Sequence, residues 1–318
     1  MTPPGSDHFN GKTFFNPGRR AERGLLDVLR WQLTSRRARW PRWVEITPRS
    51  PPPAPREEGV VATWINHATF LLQTAQHRLL TDPVFSERVS PVSWAGPRRV
   101  HAPGVPYDLL PPIDLVLLSH DHYDHCDLPS LRRLARDHQP LFIAPLGYRA
   151  LLAAAGAKRV VELDWWQSHA LAPNLTITLT PAQHWSRRIP GGVNRRLWGG
   201  FYLHAGARRV WFAGDSGYDE ALFRDIARRC GAPDLALIPI GAYEPRWFMQ
   251  AAHMNPEEAV RTHRACSARR SVAMHWGAFQ LTDEDREAPV RALAAARSAA
   301  GLGPDEFHVP VPGESVVI

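Results

Sequence analysis

Apolar positions in this chain fall into short runs. Ile113 to Leu118 is almost unbroken after Pro111 and Pro112, which predicts a fully buried strand. Val60 to Trp64 and Thr69 to Gln73 predict paired strands around Asn66-His67, and Leu79 to Thr81 runs into Asp82-Pro83. Leu175 to Leu179 alternates threonine with apolar residues, the period of a half-buried strand. Leu141 to Ala144, Val160 to Leu163, Val210 to Ala213, Leu235 to Ile240 and Ser271 to Met274 also read as strands. Helical spacing is seen in Leu128 to Asp137, with Leu128, Leu131 and Leu134 on one side, and again in Tyr148 to Ala155 and Asp283 to Ser298. Asn255-Pro256-Glu257-Glu258 opens another helix, with an N-cap, a proline in the first turn and acids at the positive end. No internal repeat is visible.

Residues 1–57 have a different texture and are expected to form an appendage to a main α/β domain over 58–318. Leu25, Leu26, Val28, Leu29 and Leu33 form a roughly helical stripe beside Arg23, Arg30, Arg36, Arg37 and Arg39, with Trp31, Trp40 and Trp43 close by. Such a helix suits a membrane interface. It equally suits packing on the domain with a solvated basic face. Ser50 to Pro55 reads as a linker of polyproline character.

Composition narrows the field. No apolar stretch reaches the length of a membrane span, and the N-terminus is polar without a signal-peptide core. The expectation is a cytoplasmic protein, with a peripheral place on the inner face of a membrane left open. The formal charge of +7 is nearly all arginine and favours phosphate esters, acidic headgroups or nucleic acid as partners, unless it is simply spread over a solvated surface. Cys126, Cys230 and Cys266 are scattered and lack a C-x-x-C pair, which argues against a disulfide framework and a thiolate zinc site. Cys126 reads as a small packing residue.

The chemistry is concentrated after the 113–118 strand. His120, Asp121, His122, Asp124 and His125 crowd into six residues, a costly grouping beside a buried strand unless something pairs with them. Imidazole and carboxylate are ligands for zinc, iron and manganese. Alternate residues share a face, so His120 and His122 point one way, and Asp124 and His125 reach a second position after a turn. Asp121 should point away and orient its neighbours. His184, Asp215 and His275 also follow predicted strands, and in layered α/β folds ligands sit beyond a common edge of strand ends. His67 could approach the site, although a lone loop histidine is more often structural, and Ser119 sits at a strand end rather than on a nucleophile elbow.

Taken together, strand-HxHxDH, a later His, a Gly-Asp and a final His resemble the metallo-β-lactamase-fold hydrolases. The chain is similar, more narrowly, to the N-acyl-phosphatidylethanolamine-hydrolysing phospholipase D family. That likeness rests on Thr81-Asp82-Pro83-Val84-Phe85-Ser86, Ser93-Trp94-Ala95-Gly96-Pro97, Gln183-His184-Trp185, the segment from Ile238 to Met249 and the segment from His253 to Val260. The resemblance implies an αββα sandwich of two facing mixed sheets with helices outside. It implies two divalent metal ions, zinc by the family's habit, with manganese or iron compatible with the donors. His120, His122 and His184 would hold one ion and Asp124, His125 and His275 the other, with Asp215 between them. His253 matches a histidine near the substrate phosphate.

The implied reaction is hydrolysis of N-acyl-phosphatidylethanolamine-like phospholipid to N-acylethanolamine and phosphatidic acid, through attack of a metal-bridging hydroxide on phosphorus. Asp124, Asp215 and His253 would be the catalytic residues. Tyr243, Arg246, Trp247, Phe248 and Met249 would form an apolar wall with one cation for the headgroup, or be ordinary loop packing. The expected partners are the phospholipid and an anionic membrane surface, and a homodimer is left open. Basic residues concentrate near the N-terminus rather than near the site, which argues against nucleic acid. The alternative is another hydrolase on the same scaffold with a soluble substrate, a sugar-phosphate lactonase or a phosphodiesterase or nuclease. A non-enzymatic membrane protein with a structural metal would leave a complete dinuclear donor set without use.

Overall fold

The computed structural model describes residues 6–19 and 21–318, apart from the side chain of Leu25. Strands β1 (Val61–Asn66), β2 (Thr69–Gln73), β3 (Arg78–Thr81), β4 (Leu115–Leu117), β5 (Leu141–Pro145) and β6 (Arg159–Leu163) form one sheet, closed at its far edge by β14 (Ser315–Val317). The other sheet holds β7 (Ser168–Ala172), β8 (Leu175–Thr180), β9 (Gly200–Ala205), β10 (Arg208–Phe212), β11 (Leu235–Pro239), β12 (Arg270–Met274) and β13 (Phe307–His308). Both sheets are mixed. β14-β1-β2-β3 are antiparallel and β3-β4-β5-β6 parallel. The second sheet repeats the scheme, antiparallel from β7 to β10 and parallel from β10 to β13.

The unbroken apolar run at 113–118 has a direct cause in this arrangement. Leu115 and Leu117 point into the core between the sheets, with Trp64, Phe70, Leu72 and Ile143. Val116 and Leu118 point the other way, onto Leu131, Leu134 and Leu152 of helices α2 (Leu128–Asp137) and α3 (Arg149–Ala154). A strand covered on both faces has no solvated side and so no polar alternation. Helices α4 (Glu220–Cys230), α6 (Pro256–Ala265) and α7 (Ala288–Ala300) pack Phe223, Val260 and Leu293 into the same apolar cluster as Trp211 and Leu237 of the second sheet. The αββα sandwich implied by the resemblance is the observed fold.

Local expectations held in most elements and failed for physical reasons in a few. Asn255 caps α6, its side chain accepting from the Glu258 amide at 2.8 Å while Glu258 accepts from the Asn255 amide at 2.9 Å. The last helix begins at Ala288, not Asp283. Asp283 is engaged by Trp31 Nε1 and Ser35 Oγ, and Glu284 accepts from the amides of Tyr243 and Glu244. β9 escaped notice because Gly199 precedes it and Gly200 opens it, where a Cβ on Gly200 would lie 2.5 Å from the Phe212 carbonyl. The glycine reflects close strand approach, which periodicity does not register.

Several described residues before β1 contact this sandwich. Phe14 is buried in the main core, and His8 Nε2 lies 2.7 Å from Asp164 Oδ1. Asn16 donates to the His184 carbonyl at 2.7 Å and accepts from Trp198 Nε1 at 3.3 Å. The basic stripe is helix α1 (Leu25–Thr34). No helix among the described residues is long and apolar enough to cross a membrane.

Candidate metal centre and adjoining cavity

The parallel halves of both sheets end at one edge, and the polar turns meet there. From the first sheet come Asp82 after β3 and His120, His122, Asp124 and His125 after β4. From the second come His184 after β8, Asp215 after β10 and His275 after β12. Gly214 makes the turn into Asp215 at φ 62, where a Cβ would stand 2.9 Å from the Gly199 carbonyl. Only glycine meets both demands.

Two donor clusters result. In His120, His122 and His184 the candidate donor atoms lie within 4.8 Å of one another, and so do those of His67, Asp124, His125 and His275. Asp215 lies between the clusters. Its Oδ2 is 3.2 Å from His125 Nε2, 3.1 Å from His275 Nε2, 3.9 Å from His120 Nε2 and 3.8 Å from His184 Nε2. Every site histidine and aspartate in the expected metal set is thus brought to one place. His253 joins them, with Nδ1 3.8 Å from the same oxygen.

The donors are held from behind. Asp82, itself at φ 33, accepts from the Ser119 amide at 2.7 Å and the Ser119 hydroxyl at 2.5 Å, and lies 2.6 Å from His125 Nδ1. Ser119 Oγ is also 2.9 Å from His120 Nδ1, and His184 Nδ1 is 3.0 Å from the Ala252 carbonyl. Each contact occupies one ring nitrogen and aims the other inward, as ligand-orienting partners do. Asp121 points away, as expected, onto Arg196 at 2.9 Å.

Burial holds His120 and His184 well below the usual histidine range, with neighbouring imidazoles adding to the effect. That direction favours the neutral imidazole, the form that coordinates a metal. Burial by itself would raise Asp215, but His125 and His275 beside it hold the carboxyl well below its ordinary value. The fit to metal ions rests on buried polar atoms without partners: His120 Nε2, His122 Nε2 and Asp215 Oδ1 have none within the protein. Groups so placed are costly unless something else pairs with them, and convergent imidazoles and carboxylates suit a divalent cation.

A cavity of about 360 Å³ opens onto this edge. His122, Asp124, Asp215 and His253 lie at its polar end, and Val28, Trp31, Val89, Trp185, Phe248, Met249 and Leu281 form its apolar wall. Of the expected substrate-binding residues, Phe248 and Met249 are in that wall. The other three are engaged elsewhere. Tyr243 faces a groove between α6 and α7, and Trp247 lies under the Arg30 guanidinium at 4.7 Å. Arg246 donates to the His253 carbonyl at 3.0 Å and to Glu258 at 2.8 Å, so its charge braces the loop. The cation lining the cavity is Arg23, which donates to the carbonyls of Trp247 and Phe248 at 2.8 Å.

Residues 77–276 match the family model described as the beta-lactamase superfamily domain. The chain belongs to that superfamily. It is 40% identical over 234 residues to the N-acyl-phosphatidylethanolamine-hydrolyzing phospholipase D 1 of Caenorhabditis elegans, covering 71% of this chain and 66% of that protein. The chain thus spans a little under two thirds of that relative's length. It is 30% identical over 268 residues to a metal-dependent hydrolase of Opitutus terrae, covering 80% of this chain and 99% of that one. Among solved structures, isothiocyanate hydrolase from Delia radicum gut bacteria superposes with a TM-score of 0.66 at 23% identity, over 80% of this chain and 98% of that one. The family model and the Opitutus relative together make the chain a metal-dependent hydrolase of this superfamily.

Sequence reasoning passed over four contributors to this region. His67 looked like an ordinary turn residue, and Asp82 stood out only as part of a family segment. Arg23 lacked any signal for the cavity, since the carbonyls it binds lie more than two hundred residues away along the chain, and Val28 stood out only as part of a helical stripe.

Proposed function

We propose that the chain is a phosphodiesterase of phospholipase D type, hydrolysing N-acyl-phosphatidylethanolamine-like phospholipid to N-acylethanolamine and phosphatidic acid. One observation favours it above the soluble-substrate alternative: an apolar cavity whose polar end is formed by Asp124, Asp215 and His253. A long acyl substituent needs such a wall, and a sugar phosphate does not. The nematode relative's activity supports the same reading.

On this proposal His120, His122 and His184 hold one divalent cation and Asp124, His125 and His275 a second, with Asp215 shared. When bound, such cations lower the pKa of water to near neutrality and offset charge building on phosphoryl oxygens. The chain's own residues do the rest. Asp215 and Asp124 anchor the centre. His253 faces the cavity, where it can donate to a phosphoryl oxygen or the leaving alkoxide. Its carbonyl is fixed by Arg246, and Arg246 in turn by Glu258. Phe248, Met249, Val28 and Trp31 exclude water from the acyl chain, and Arg23 brings positive charge to the rim.

The test is mass spectrometry of products from N-acyl-phosphatidylethanolamine given to the purified, zinc-loaded chain. N-acylethanolamine and phosphatidic acid are the expected pair. Released fatty acid, or no turnover while a soluble phosphodiester is cleaved, would end the reading.

We further propose that α1 faces an anionic membrane surface. Leu26 and Leu33 are about four-fifths exposed, at 83% and 78%, on a helix whose Val28 and Trp31 line the cavity. Arg30, Arg36 and Arg39 accompany them, the pairing of apolar and basic residues found in interfacial helices. Co-sedimentation with phosphatidylglycerol vesicles should fall for Leu26→Ser with Leu33→Ser. Unchanged binding would remove the membrane role.

A further inference from the structure

We propose that His67 is a positioning residue that holds donors from both sheets in register, Asp124 by its side chain and His275 by its backbone. The residue occupies the turn between β1 and β2 and is 1% exposed. Its Nε2 lies 3.0 Å from Asp124 Oδ2. A carboxylate only accepts, so this nitrogen is the protonated one. Its carbonyl accepts from the His275 amide at 3.0 Å and from Trp64 Nε1 at 2.9 Å.

The backbone at this turn is held away from its easy conformations. His67 stands at φ 45 and His275 at φ 62, both left-handed without being glycine. Such conformations persist where surrounding contacts over-determine them, and they gather at functional sites. Here the two are joined directly, the His275 amide donating to the His67 carbonyl. The His67 ring also lies against that of His275, tilted by 42° with centroids 4.0 Å apart. Asp124 follows β4 in the first sheet and His275 follows β12 in the second. One residue therefore spans the seam at which the second donor cluster is assembled. It has no equivalent role toward the other cluster, where His120 is braced by Ser119 and His184 by the Ala252 carbonyl.

The experiment is zinc titration of the full chain against a graded chelator, with the melting temperature of the metal-free protein as the check on folding. Wild type is expected to take up two ions. His67→Ala should keep one tight ion and hold the other roughly 10- to 100-fold more weakly, the usual effect of losing an outer ligand partner. His67→Gln, which presents an N–H at similar reach, should recover most of the loss. Should His67→Ala not fold, His67→Phe fills the space without a donor and is expected to show the same weakened ion. Two equally tight ions in wild type and His67→Ala overturn the role of His67, as does a His67→Gln no better than His67→Phe. The inference rests on the proposal that these clusters hold cations, and a wild-type chain that binds no zinc defeats both.

Discussion

The donor clusters and the α1 wall border the same cavity and are built in opposite ways. Donor residues such as His120, His125 and Asp215 are buried, and ring nitrogens are fixed by Asp82, Ser119 or Ala252. α1 is a ten-residue helix with exposed leucines along one side, tied down by Trp31, which donates to Asp283 and sets its ring tilted against Phe248 with centroids 4.9 Å apart. Buried polar constellations fail when any member is removed, because the remaining groups lose both water and partner. A half-exposed apolar wall degrades by increments. The chemistry of this protein is therefore brittle and its choice of substrate adjustable.

That contrast can be broken by experiment. Asp215→Ala should cost hydrolysis on the order of 10³-fold or more, since several kcal/mol of metal-dependent stabilisation are removed, and should lower bound metal by elemental analysis. Full activity in this variant would end the account of the centre. Asp82→Ala touches neither substrate nor cavity, yet should weaken zinc binding roughly 10- to 100-fold in chelator competition, because His125 and Ser119 lose their anchor. On the other side of the comparison, Trp31→Ala should raise KM for a long-chain phospholipid by about tenfold while leaving a small soluble phosphodiester unaffected. Such a shift corresponds to about 1.4 kcal/mol of lost apolar contact. An equal loss on both substrates would place Trp31 among residues that serve the fold.

The smallest effect is expected at His8. Burial pulls its pKa down, but hydrogen bonds to Asp164 and Asp7 more than offset this, so the folded value lies above the ordinary 6.5. Its neighbours on the packed face are Trp165 and Phe14, which bring no charge. A raised folded pKa means that the stabilisation is complete below the unfolded value near 6.5 and is lost as pH rises through the folded value. Thermal melts of wild type should accordingly lose a small increment above that range, and His8→Gln should flatten the profile. A wild-type profile no steeper than that of His8→Gln would remove the clamp.

Much of this was legible from spacing. The His-x-His-x-Asp-His run, the strand that precedes it and the solitary histidines and aspartate after later strands are local patterns set by period and residue type. Asn255 announced its helix by capping chemistry alone. What escaped were partners whose meaning is relational. Arg246 offered the same charge as Arg23, and no periodicity distinguishes the one that faces the cavity from the one that braces His253.

Residue order by itself determined which segments become buried strands and which turns carry metal-type donors, because hydrophobic period and steric preference act over a few residues. Only the tertiary structure decided which donors meet. Strand order sets β4 of one sheet against β10 and β12 of the other, and places His67 and Asp82 behind the donors they brace. Contacts such as His125 with His275, 150 residues apart and 3.1 Å between nitrogens, are products of sheet packing. No short-range rule contains that distance.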